Sequence, residues 1–245
     1  MSKNLKKVIH ICIIITILVA IGFTGLIVVL RYDEKGETNM PFDITKITIV
    51  STTDAKDVED GENIWNLNIC QNNDIYIDIE KNENYKKKSI INKVIINNVK
   101  IVKEPKNGEI SFYRPSNNKL STFENIEQYE QKEFEYQGEK TSNIQEMQIS
   151  NQGGRLAFRC ANNNLGTYKS NDEEELDYNK LLDKINMKND DLEAKISFNI
   201  EIVLINKITF KSTIELDIPV GDIVKDGKTS QEITDMDIVF KRTEN

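Results

Sequence analysis

Val8 to Leu30 is an uncharged run of 23 residues, VIHICIIITILVAIGFTGLIVVL. At 1.5 Å per residue a helix of that length reaches roughly 34 Å, enough to cross a hydrocarbon core of about 30 Å. A core helix of a water-soluble protein would show a polar position every turn. Here only His10, Thr16 and Thr24 interrupt the apolar run. A cleavable signal peptide has an apolar stretch of about 7–15 residues and a small-x-small cleavage site. Ala20-Ile21-Gly22 fits such a site weakly, and eight further residues of the run follow it. The segment therefore reads as an uncleaved signal anchor and a single membrane pass.

Its flanks set an expected orientation. Lys3, Lys6 and Lys7 precede the run with no acid among them, whereas Arg31 is followed by Asp33 and Glu34. Basic residues stay on the cytoplasmic side, which predicts a cytoplasmic tail at residues 1–7, an anchor at 8–30 and everything beyond outside the cell. The other 215 residues hold 29 of the 32 basic side chains and all 40 acids. That net −11 argues against nucleic acid as a partner, since phosphate backbones select clustered positive charge. The abundance of Ile, Lys and Asn fits an A- and T-rich bacterial genome.

Residues 31–43, RYDEKGETNMPFD, contain Gly36 and Pro41 and read as a polar flexible linker. From Ile44 to Asn245 the dominant signal is alternation of apolar and polar residues, the mark of half-buried antiparallel strands. Ile47 and Ile49 open it. Trp65, Leu67 and Ile69, then Ile75, Ile77 and Ile79, read as a hairpin about a turn at Gln71-Asn72-Asn73-Asp74. Lys93 to Val102, Ile110 to Tyr113, Thr141 to Ile149 and Leu156 to Cys160 follow as strands, with a turn at Gly153-Gly154.

Between Ile196 and Ile218 ten apolar residues share even numbers, which requires an odd loop, Ile205-Asn206-Lys207, to keep both strands facing the same core. Met236, Ile238 and Phe240 suggest a final strand. Leu176, Leu181, Leu182 and Ile185 have helical spacing, with Ser170 and Glu173 as a capping box. Ser121 to Tyr129 is a weaker helical candidate. These elements predict an all-β fold, an antiparallel β-sandwich-like extracytoplasmic domain with one or two short helices behind one transmembrane helix.

Few residues invite chemistry. The acids Asp172 to Glu175 with Asp177, and Asp222 with Asp226-Gly227, lack the alternating ligand spacing of a calcium loop and read as a helix N-terminus and a turn. The one histidine lies in the anchor, so no His-based triad forms outside, and no metal or cofactor motif is present. Cys70 and Cys160 either close a disulfide or stand as two buried thiols, and sequence alone leaves both open. Tyr85-Lys86-Lys87-Lys88 is a basic loop open to headgroups or an anionic polymer. The expectation is a non-enzymatic, membrane-anchored module that binds a protein or cell-wall partner. The alternative is a hydrolase acting on cell-surface polysaccharide through two carboxylates.

Overall fold

The computed structural model of the chain describes residues 3–57, 66–116, 123–125, 134–137, 148–170 and 177–244. α1 (Lys3–Lys35) is one unbroken helix of 33 residues. From Ile13 to Leu30 every large apolar side chain on it is exposed, so no face packs against the rest of the chain. Thr16 and Thr24 donate their hydroxyls to Cys12 O at 2.9 Å and Ala20 O at 2.8 Å. A hydroxyl is satisfied in this way where water is absent. Among the described residues α1 is the one helix long and apolar enough to cross a membrane, the form shared by a single-pass anchor and a signal sequence.

The strands that follow form two antiparallel sheets. The first carries β1 (Phe42–Asp57), β2 (Asn66–Lys81), β4 (Glu109–Pro115), β5 (Phe123–Asn125), β7 (Ile149–Ser150), β8 (Gly153–Lys169) and β11 (Lys228–Ile233). Its order is β11-β1-β2-β8-β4-β5, with β7 also on β8. The second carries β3 (Ile91–Lys103), β6 (Phe134–Tyr136), β9 (Ala194–Leu204), β10 (Ile208–Ile218) and β12 (Lys241–Glu244), ordered β12-β10-β9-β3-β6.

The sheets share one core, which makes the domain a β-sandwich. Ile47, Ile49, Ile75, Ile77, Leu156 and Phe158 enter it from the first sheet, and Ile96, Ile196, Phe198, Ile200 and Ile202 from the second. Phe158 is its hub. Its ring lies 5.7 Å from Phe134 and 5.2 Å, edge to face, from Phe198. Next to it Tyr136, buried in the second sheet, donates its hydroxyl to Ala157 O of the first at 2.6 Å.

A second, smaller cluster closes one end. There α2 (Leu181–Lys184), α3 (Asn189–Leu192) and α4 (Ile223–Asp226) bring Leu181, Leu182, Leu192 and Ile223 against Leu67, Ile69 and Leu165.

The even-numbered alternation holds as the loop length requires. Thr209 pairs with Val203 and Phe210 with Ile202 about the turn at residues 205–207. Lys207 takes φ +68° there, and its amide donates to Leu204 O at 3.0 Å.

Other expectations are corrected. α1 continues past Leu30 through Lys35 and β1 starts at Phe42, so the linker of residues 31–43 shrinks to the six residues between them. Nothing in Arg31–Lys35 breaks a helix, and Gly36 is the first left-handed residue. Gln71 to Asp74 is no turn but the middle of β2, paired without interruption to β1. Gly153-Gly154 begins β8, and the turn lies at Asn151-Gln152. Met236, Ile238 and Phe240 pack on the core from an extended crossing between β11 and β12, where the chain changes sheet.

The helix expected around Leu181 is a 3-10 turn, Tyr178–Lys180, followed by the single turn α2. Its cap is Asp177, whose carboxylate accepts from Asn179 N at 3.0 Å, rather than Ser170. Phe123–Asn125, within the weaker helical candidate, is a strand on β4. Trp65, residues 141–147 and the acids at 172–175 lie outside the described residues.

Candidate functional site

Each strand of the first sheet sends one set of side chains inward and the other to the opposite face. On β2 the outer set includes Asp74, Tyr76 and Asp78; on β8 it includes Arg155, Ala157 and Arg159. The register sets Asp74 directly across from Arg159 and Asp78 across from Arg155. Both pairs close as two-pronged forks. Arg159 Nε reaches Asp74 Oδ1 at 2.5 Å and its Nη2 reaches Oδ2 at 3.0 Å. Arg155 repeats the geometry on Asp78 at 2.6 and 3.0 Å. Planar forks of this kind fix the guanidinium as a point ion pair does not.

Aromatic rings complete the face. The Arg159 guanidinium lies 4.7 Å from the centre of the Phe123 ring, and that of Arg155 6.0 Å from Tyr76. Tyr76 and Tyr113 are half-buried against Phe123 and Ala157. Burial, with the negative charge of Asp74 added, raises the Tyr76 phenol above its ordinary range. The hydrogen bond to Asp78 raises Arg155. Burial pulls Arg159 down, but its bonds to Asp74 and the nearby acids outweigh that and leave it raised. Both arginines stay charged and fixed.

A polar groove of about 570 Å³ runs beside this face where the β7–β8 turn overhangs the end of β2; Asp78, Glu80, Gln148, Ser150 and Arg155 line it. Gly153 (φ +117°) is required at its floor, because a Cβ there would stand 2.3 Å from Ile79 O. The outer face of the second sheet is different in kind. Asn97, Asn199, Thr213, Glu201 and Lys211 link into an amide and ion-pair network with no aromatic ring.

Inside the first sheet a buried polar seam separates the main core from the smaller cluster. Asn73 Oδ1 accepts from Ser51 Oγ at 2.6 Å and from Gln71 Nε2 at 2.9 Å, and its Nδ2 donates to Cys160 O at 2.9 Å. Sequence reasoning missed the forks, the aromatic face and the seam. A usable signal was present for the forks: Asp74 and Asp78, like Arg155 and Arg159, are four apart, which places each pair on one face of its strand.

The two candidate cysteines are free, buried thiols. Cys160 pairs with Asn73, three residues along β2 from Cys70. That offset is about 10 Å, beyond the roughly 7 Å across which a disulfide closes. Burial pushes Cys160 up to about 12, and burial with the charge of Asp54 pushes Cys70 up to about 11. A thiol reagent at pH 8 should therefore miss both in the folded protein. With Cys12→Ser, two thiols should appear only in denaturant, without reductant. Since both groups are neutral when folded, stability should be full below about pH 9 and fall as pH rises from there toward 12.

Asp177 caps the 3-10 turn, and Asp222 and Asp226 bracket α4. Tyr85 to Lys88 lie in the β2–β3 loop with all three lysines exposed. Among the described residues no group of three or more His, Cys, Asp or Glu side chains gathers to hold a metal ion. No protein-family model matches the chain, no curated protein matches it in sequence, and no solved structure matches it in fold.

Proposed function

We propose that the chain is a membrane-anchored interaction module without catalytic activity. Its N-terminus is cytoplasmic, its β-sandwich extracytoplasmic, and it binds a protein or cell-wall partner through the outer face of the first sheet. The observation that carries this reading is the fixed array of Arg155, Arg159, Tyr76 and Tyr113. Arginine and tyrosine held rigidly on an otherwise solvated face are the residues that dominate binding energy at protein interfaces. Asp74 and Asp78, the two carboxylates at the centre of that face, are each committed to an arginine. Four residues apart on one strand they stand about 13 Å from each other, wider than the 5–9.5 Å of glycosidase pairs.

A photo-crosslinking residue at Tyr113 in intact cells should repeatedly capture the same membrane or wall component, and Tyr76→Ala should reduce that capture at least tenfold. Turnover of a glycan by the purified protein, abolished by Asp74→Asn or Asp78→Asn, would overturn the proposal. Protease added to intact cells should remove the sandwich and leave a small anchored stub. A fully protected domain would overturn the orientation.

A further inference from the structure

α1 is bolted to the sandwich rather than strung from it. Glu37 N donates to Phe240 O at 2.6 Å, the Lys241 ammonium lies 3.1 Å from Asp33, and Arg242 N donates to the Tyr32 hydroxyl at 2.8 Å. Gly36 (φ +64°) permits the joint, since a Cβ there would fall 2.2 Å from Phe240 O. Walking back along the helix from Gly36 to Tyr32 matches walking along β12 from Phe240 to Arg242. That direction leads to Glu244, paired with Ile208 at the β9–β10 turn.

The helix therefore leaves the domain from the end that carries this turn. The β2–β3 loop is at the same end. Lys81 pairs with Phe42, Asn82 N donates to Pro41 O at 3.0 Å, and Ile205 N donates to Ile90 O at 3.1 Å.

The tips at this end have a distinctive chemistry. The loop at residues 82–90 carries exposed Lys86, Lys87 and Lys88 against one acid, Glu83, and the turn adds exposed Lys207. The two tips are net +3 on a domain that is strongly acidic. Glu34 and Glu37 lie near by at the helix end beside Arg31 and Lys35, and Asp33 is tied to Lys241. Ile205, 59% exposed, stands at the apex of the turn, two residues before Lys207 and across a shared groove from Lys88. Away from α1 only Val102 and Tyr178 are other large apolar side chains so exposed among the described residues. An exposed isoleucine at an end that also carries exposed lysines is the surface that suits an anionic bilayer, with the side chain in the headgroup region and ammonium groups on phosphates.

We infer that this end of the sandwich lies directly on the membrane, with Lys86, Lys87, Lys88 and Lys207 on anionic phospholipid headgroups and Ile205 inserted among them. The inference rests on α1 being a membrane anchor. It turns the tether into a fixed mount, because the helix joint and the lipid contact together define how the domain stands.

The test uses the full chain with Cys12→Ser in lipid nanodiscs, one set of phosphatidylcholine and one with 40% phosphatidylglycerol. A dye is attached at Asn206→Cys or, as a control at the far end, at Lys225→Cys, and a headgroup-labelled lipid quenches it. Quenching at position 206 should be strong in the anionic discs, weaker in phosphatidylcholine, and lost in 1 M salt, where screening shortens to about 3 Å. Changing the four lysines to Gln should weaken the contact by about fivefold per lysine. Position 225 should show no quenching in either disc.

Equal quenching at 206 in both lipids, or none, in chains that do insert would overturn the inference and leave the anchor standing. Failure to insert would overturn both. Lysine-dependent binding of soluble polyphosphate without quenching at 206 would overturn it in favour of an anionic polymer.

Discussion

Phe158→Ala should lower the unfolding free energy by about 3–5 kcal/mol, the usual cost of deleting a buried aromatic ring. The site gives little room for collapse. Phe158 is fully buried, touches Phe134 and Phe198 of the opposite sheet, and is flanked by Ala157, whose carbonyl takes the Tyr136 hydroxyl. The cavity would open between two sheets held apart by their own ladders, so neighbouring strands cannot simply move in. For a domain of this size the midpoint of thermal unfolding should fall by about 6–20 °C. Circular dichroism of the detergent-solubilised chain reads it directly. Phe158→Leu should lose less than half as much. A shift below 2 °C for the alanine variant would mean that the sheets do not meet at this ring.

Asn73→Ala should cost a comparable amount, about 3–5 kcal/mol, although it removes only a small polar side chain. Two buried groups lose their partner, the Ser51 hydroxyl and the Gln71 amide, and the Cys160 carbonyl, already in the ladder, loses a second donor. Each orphaned group costs about 1–3 kcal/mol, and Ser51 keeps a longer contact to Pro219 O at 3.4 Å that softens its loss. Asn73→Asp sharpens the test. As a neutral acid it can still donate to Cys160 O; as a carboxylate it is a buried charge with no cation in the seam.

Its folded pKa should therefore be raised, so stability is kept below the unfolded carboxyl value of about 4 and lost as pH rises. Relative to the unsubstituted chain, Asn73→Asp should be nearly neutral at pH 4 and strongly destabilised at pH 8 in urea titrations. The same penalty at both pH values would refute the donor role of Asn73.

The sandwich was legible because most of its strands have one wet and one dry face. The even numbers from Ile196 to Ile218 dictated an odd loop, and the chain makes one. β2 was misread because its centre is rich in amides, and Gln71-Asn72-Asn73-Asp74 is as good a turn by composition as any in the sequence. Parity held the contrary evidence. Leu67, Ile69, Ile75, Ile77 and Ile79 are all odd, and a four-residue turn at 71–74 would pair Cys70 with Ile75, sending Ile75 and Ile77 to the face opposite Ile69. Only a continuous strand, with Gln71 and Asn73 pointing inward, satisfies the pattern. What no periodicity shows is where such amides find partners. Asn73 is bonded to Ser51 and Cys160, which lie 22 and 87 residues away. The forks escape for the same reason: Asp74 and Arg159 become neighbours only once β2 and β8 are in register.

The joint between α1 and β12 also sets an order of events during synthesis. Tyr32 and Arg242 are 210 residues apart. At about 5–20 residues per second a ribosome needs at least ten seconds to travel from one to the other. Throughout that interval the helix has nothing to dock on, because Phe240, Lys241 and Arg242 have yet to emerge. The nascent domain swings freely on its helix and gains a fixed stance only once residues 240–242 have emerged. A stalled or truncated product lacking residues 240–244 would thus differ in posture from one that carries them, even where most of its strands have already paired.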